Sequence, residues 1–154
     1  MNIMNLKKKI ACAEIMTPDP VRCLPSDTAY WAAYLMKTKD IGPIPVVQTE
    51  EDNLLIGIVT DRDLALKVVG EARDPRSTRI ADVMTRDPVT CRRADTVEEA
   101  LRAMSHNHVR RIPVVDRRDR LIGMIAQADV ATRLAEPAKT AGLVREISKS
   151  KEAA

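Results

Sequence analysis

The chain repeats itself, so whatever it folds into must be built from two like halves. Met16-Thr17-x-Asp19-Pro20-Val21-x-Cys23 returns as Met84-Thr85-x-Asp87-Pro88-Val89-x-Cys91, displaced by 68 residues. The register holds from Asp27-Thr28 to Asp95-Thr96, from Ala32 to Ala100, and from Met36 to Met104. It holds again from Ile44-Pro45-Val46-Val47 to Ile112-Pro113-Val114-Val115. Beyond that, Ile56-Gly57 and Asp63 match Ile122-Gly123 and Asp129 at a displacement of 66, so one turn in the first copy is two residues longer.

Each copy reads as strand, helix, strand, strand, helix, because short Val/Ile runs alternate with a longer stretch of helical spacing. In the second copy Asp95 or Thr96 caps a helix on which Val97, Ala100, Leu101 and Met104 share one face. Residues 112–116 and 121–126 are two short strands joined by the polar run Arg117-Arg118-Asp119-Arg120. A helix follows from Gln127 to about Ala135. Between the copies, Gly70 is suited to end a helix and Pro75 to block its continuation. The reading is an N-terminal segment over 1–13, repeats over 14–69 and 81–135, a linker over 70–80, and a tail over 136–154. An amphipathic helix is expected at 138–149.

Composition narrows the function. With 45% hydrophobic residues, the 154-residue chain has enough apolar material for a substantial core. There is no Phe, one Trp and two Tyr, so the core must be aliphatic and base-stacking platforms for single-stranded nucleic acid are nearly absent. The 25 basic and 22 acidic residues are intermixed, which provides no strong basic field, and a nucleic-acid partner is not expected. Cys12, Cys23 and Cys91 are odd in number and lack CxxC spacing, which fits buried reduced thiols in the cytoplasm. His106-Asn107-His108 has no Cys or Glu set at metal-ligand spacing beside it, so no metal site is expected. Lys7, Lys8 and Lys9 precede no apolar stretch of the kind a signal peptide requires, and nothing reaches membrane-spanning length. Walker, GxSxG and HExxH motifs are absent, so the chain is not expected to be an enzyme.

The three aromatics cluster at Tyr30, Trp31 and Tyr34, where the second copy has Glu98, Glu99 and Arg102. If both helices turn the same face inward, the aromatics lie outside the core as an interface patch. Local packing against the terminal segments is the competing reading.

Taken together, these marks resemble paired cystathionine β-synthase type (CBS) repeats, the Bateman module, over roughly residues 14 to 135. They are Met-Thr-x-x-Pro-Val, Ile-Pro-Val-Val and Gly57-Ile58-Val59-Thr60-Asp61-Arg62-Asp63, in order and twice over. The resemblance implies an α/β fold of two β-α-β-β-α repeats about a pseudo-two-fold axis, packed through their sheets, as in stand-alone regulatory proteins. It further implies two clefts for adenine nucleotides or adenosine derivatives, no obligatory cofactor, and a disc-like homodimer that controls some other protein.

Thr60 and Asp63 sit where a strand turns into a helix. Backbone N–H groups there can receive a phosphate, and Asp63 can accept from ribose hydroxyls. The same Thr-x-x-Asp spacing also makes a capping box that needs no ligand. Carried over from the family, the first cleft would combine Thr60 and Asp63 with Thr85, Val89 and Val109 around an adenine, and Arg110 near the phosphate. The second would combine Thr17, Val21, Ile41 and Gly42 with Asp129, and Arg110 or Arg111 near the phosphate. Ala126 departs from the family's Thr or Ser, so the first cleft ranks ahead. The arginines could equally belong to a solvated loop, and the whole chain to a ligand-free adaptor for a protein or nucleic acid.

Overall fold

The computed structural model describes residues 9–133. In chain order the elements are α1 (Cys12–Ile15), β1 (Thr17–Pro18), α2 (Ala29–Lys39), β2 (Ile44–Val47), β3 (Leu55–Val59) and α3 (Asp61–Leu64), which runs on into a π-helical turn (Ala65–Val69). Then come α4 (Ile80–Val83), β4 (Thr85–Arg86), β5 (Cys91–Arg92), α5 (Val97–His106), β6 (Arg111–Val115), β7 (Leu121–Ala126) and α6 (Gln127–Arg133).

The halves trade their opening strands. One sheet has the order β2-β3-β4 and the other β1-β7-β6-β5. Thr17 and Pro18 of β1 lie antiparallel to Met124 and Gly123, while Thr85 and Arg86 of β4 lie antiparallel to Ile58 and Gly57. The cores follow the same exchange. Cys12 and Ile15 of α1 are buried with Cys91, Val97 and Leu101, whereas Ile80 and Val83 of α4 are buried with Cys23, Ala32 and Ile44. Each core is therefore assembled from both halves of the sequence.

Two glycines make room for the exchange. A Cβ on Gly123 would fall 2.5 Å from Met16 Sδ and 3.0 Å from the Thr17 carbonyl oxygen. One on Gly57 would fall 2.8 Å from Met84 Sδ and 3.0 Å from the Thr85 carbonyl oxygen. The repeated Gly is a spacing requirement, since neither residue has a positive φ.

Reciprocal hydrogen bonds define the pseudo-two-fold axis. Ile80 N–H donates to the Asp27 carbonyl at 2.8 Å, as Cys12 N–H does to that of Asp95 at 2.7 Å. At the hairpin tips, Leu55 N–H donates to the Asp119 carbonyl at 3.0 Å, and Leu121 N–H to that of Asn53 at 2.9 Å. Leu54 and Arg120 bridge antiparallel between them. Asn53 and Asp119 hold φ near 60° (59° and 60°), a left-handed conformation that Asn and Asp tolerate better than most residues.

The helices start as the sequence suggests. Thr28 Oγ1 accepts from Trp31 N–H at 3.1 Å, and Thr96 pairs with Glu99 in a capping box. The expected stop at Gly70 has a different cause. Gly70 is right-handed (φ −64°) and ends the π turn by donating its N–H to the Ala65 carbonyl. A Cβ there would lie 2.6 Å from the Leu66 carbonyl oxygen, so Gly70 is required for space, and Ala72 supplies the positive φ of 53°. The helix expected at 138–149 lies outside the described residues, as do the end of the helix expected to about residue 135 and the flanking segments 1–8 and 134–154.

Candidate functional site

The strand β3 ends at Val59 and the chain turns immediately into α3, which brings Thr60 and Asp63 onto one corner. The capping box is fully formed: Asp63 N–H donates to Thr60 Oγ1 at 3.1 Å, and Thr60 N–H donates to Asp63 Oδ2 at 3.0 Å. Asp63 is only 8% exposed, and a carboxylate so placed needs partners for its remaining lone pairs. Those partners come from two places. The Thr85 hydroxyl, on the exchanged strand β4, donates to Oδ1 at 3.2 Å, and the Lys67 ammonium lies 2.9 Å from the same oxygen. Lys67 also donates to the Val83 carbonyl at 3.0 Å.

Lys67 is the residue that sequence reasoning missed. Its signal was present: Asp63-x-x-x-Lys67 is a helical i,i+4 pair, and the second copy has Asp129-x-x-x-Arg133 at the same spacing. The two cations behave alike toward the exchanged segments. Arg133 donates to the Ile15 carbonyl at 2.8 Å, the counterpart of the Lys67 bond to Val83.

The Asp129 corner is barer. Ala126 has no hydroxyl, and Asp129 Oδ2 accepts from Ala126 N–H at 3.3 Å, a longer bond than its counterpart. Thr17 is exposed on β1, opposite Met124. A Cβ on Gly42 would meet nothing within 4 Å, so open space lies beside it.

Of the apolar residues assigned to the first cleft, Val89 and Val109 are partly buried against the core that holds α5. Val21 and Ile41, assigned to the second, pack in the corresponding way against the core that holds α2. Arg110 is exposed, and its carbonyl accepts from Gln127 N–H at 2.9 Å. Arg111 stands opposite Ala126 in the β6/β7 ladder. The backbones of both arginines thus lie at the corner that carries Asp129. No hydrogen bond or ion pair among the described residues joins Arg110 to Thr60 or Asp63.

Ala29, Ala32 and Leu35 turn inward from α2 and leave Tyr30, Trp31 and Tyr34 exposed at 52%, 43% and 45%. Trp31 and Tyr34 stack with centroids 5.5 Å apart. In α5 the matching Glu99 is drawn into the helix cap by Thr96 N–H at 2.8 Å.

Among the described residues there is no group of three His, Cys, Asp or Glu side chains placed to hold a metal ion. No helix among them is long and apolar enough to cross a membrane.

Two α/β halves with traded opening strands, related by a pseudo-two-fold axis and each ending its central hairpin in an acidic helix corner, define a tandem-repeat module. The CBS domain family model matches residues 12–70 and 80–136, and the chain belongs to that family. It is 39% identical to the uncharacterized protein YlbB of Bacillus subtilis (strain 168) over 118 residues, 77% of this chain and 78% of that one. It is 36% identical over 124 residues to inosine-5'-monophosphate dehydrogenase of Methanocaldococcus jannaschii, covering 80% of this chain but only 23% of the enzyme. Among solved structures, CBSX2 of Arabidopsis thaliana in complex with AMP aligns with a TM-score of 0.69 and 28% identity, over 80% of this chain and 94% of that one.

Proposed function

We propose that this CBS pair is a regulatory module that binds an adenine nucleotide or a related adenosine ligand between its halves and catalyses nothing itself. The observation that carries the reading is the bond from Thr85 to Asp63, because it joins a strand of one half to the helix corner of the other. The ribose hydroxyls of a ligand would compete for the same carboxylate oxygens. Ligand entry would then exchange a contact between halves for contacts to the ligand, and that difference is what lets occupancy bias one arrangement over another. Support comes also from CBSX2, a relative by structure that was solved with AMP.

In this reading Thr60, Asp63, Thr85, Val89 and Val109 form one site, with Arg110 near its phosphate. Thr17, Val21, Ile41, Gly42 and Asp129 form the other, with Arg110 or Arg111 near its phosphate. Tyr30, Trp31 and Tyr34 are the face through which two copies pair, and the cytoplasm is the compartment in which the module works.

The test is calorimetric titration of AMP, ADP, ATP and S-adenosylmethionine into the parent, Asp63→Ala and Asp129→Ala proteins. Saturable binding that one of the substitutions weakens at least tenfold supports the proposal. A second reading, a ligand-free adaptor, draws on the complete engagement of Asp63 by Thr60, Thr85 and Lys67. It predicts no saturable heat from any compound in the panel.

A further inference from the structure

The two hairpin tips that meet at the pseudo-two-fold axis carry opposite charge. The first, residues 48–53, holds Glu50, Glu51 and Asp52 and no base, whereas the second, residues 116–120, holds Arg117, Arg118 and Arg120 beside Asp116 and Asp119. The Leu54–Arg120 bridge and the hydrogen bonds of Leu55 to Asp119 and of Leu121 to Asn53 hold the tips side by side.

Part of this charge is used within the molecule. Asp116 pairs with Arg120 at 2.9 Å and Asp119 with Arg92 at 2.8 Å, while Asp52 accepts from Leu54 N–H at 3.0 Å. Glu50 and Glu51 on one tip, and Arg117 and Arg118 on the other, stay exposed. No ion pair among the described residues involves any of the four.

We propose that this two-tip face is a docking surface for a second copy of the chain. The pseudo-two-fold axis exchanges the tips and therefore the signs of their charge. A second copy can be turned face to face about a true two-fold axis, perpendicular to the pseudo-axis and to the line joining the tips. Each acidic tip then meets a basic one, and the contact is isologous and closes on two copies. A turn about the line joining the tips would instead oppose like charges, so the pattern selects one arrangement. Arg117 and Arg118 suit the role, since a guanidinium grips a carboxylate through two parallel hydrogen bonds. A polyanion is a poorer fit, because Glu50 and Glu51 stand beside the arginines and repel it. Exposed pairs are individually weak and are screened by salt, so the association is weak and falls with ionic strength.

This face uses none of the residues assigned to the nucleotide clefts or to the aromatic patch. Sedimentation velocity without nucleotide tests it, so the outcome is independent of ligand binding. The samples are the parent, a Glu50→Arg/Glu51→Arg variant and an Arg117→Glu/Arg118→Glu variant, each in about 20 mM and about 500 mM sodium chloride. The parent should be heavier at low salt. Each variant alone should keep its high-salt mass in both buffers. An equimolar mixture of the two should regain the parent's low-salt mass, because both tips of one chain are then basic and both tips of the other acidic. With Trp31→Glu in the background, the low-salt rise should stop at twice the chain mass. If a charge reversal unfolds its chain, Glu50→Gln/Glu51→Gln takes its place and should abolish the rise. A parent mass indifferent to salt, a variant that still associates by itself, or a mixture that stays at its high-salt mass would each overturn the proposal. A parent that gains mass only when a short DNA duplex is added would overturn it in favour of a polyanion.

Discussion

Asp63 and Asp129 occupy matching positions, yet their surroundings differ. Asp63 accepts from Thr60, Thr85 and Lys67, while Asp129 is held by the Ala126 amide alone among the described residues. Removing a buried carboxylate leaves its donors unsatisfied, at about 1 to 3 kcal/mol for such a loss. Asp63→Ala should therefore destabilise the fold by about 2 to 3 kcal/mol and Asp129→Ala by about 1 kcal/mol or less, as read by urea unfolding. Cys23 makes a pH prediction. Burial, with the Asp27 charge adding to it, pushes its thiol up to about 12. In the unfolded chain the thiol ionises near 8.5, so above that pH the unfolded state sheds a proton that the folded state keeps. Stability should be unaffected by this group below pH 8 and should fall as pH rises toward about 12. Urea midpoints of the parent and Cys23→Ala at pH 8 and pH 10 measure the difference, with the parent losing more on the alkaline side.

At the scale of elements, the exchanged strands depend on glycine. Gly123→Ala forces Met16 and the Thr17 backbone away from β7, at about 1 to 3 kcal/mol for overpacking of this kind. Gly42→Ala, with open space at its Cβ, should change stability by less than about 1 kcal/mol, and paired thermal melts of the two variants make the comparison. The helices α2 and α5 share an inward face but not an outward one. Trp31→Glu gives α2 the acid that α5 carries at the matching position, Glu99. Sedimentation should then report a lighter species than the parent, with a far-ultraviolet spectrum unchanged. An unchanged dimeric mass would remove the proposed pairing face.

The whole molecule should unfold as one cooperative unit despite its two cores. Each core contains a helix from the other half, and each sheet a strand from it, so neither half can leave without stripping its partner. Trp31 fluorescence reports only on the first half, and circular dichroism on both. Their urea transitions should coincide, and separation of the midpoints would show independent domains. The duplication made much of this visible in advance, because two copies of one pattern reveal which residues recur. The αβ order was readable in that way, the outward aromatics from where the copies differ, and the Thr60 cap from the Thr60-x-x-Asp63 spacing alone. Lys67 was readable too, but only by comparing charged spacings between copies.

Local periodicity and repetition determined the two halves, their elements and the acidic corners, because those follow from neighbours within a few residues along the chain. Tertiary structure alone decided that β1 and β4 change sheets, that Thr85 meets Asp63, and that Cys12 and Cys91 share one core. Each of these joins residues separated by at least 22 positions, and which of several compatible partners a short strand chooses is settled by packing across the pseudo-two-fold axis.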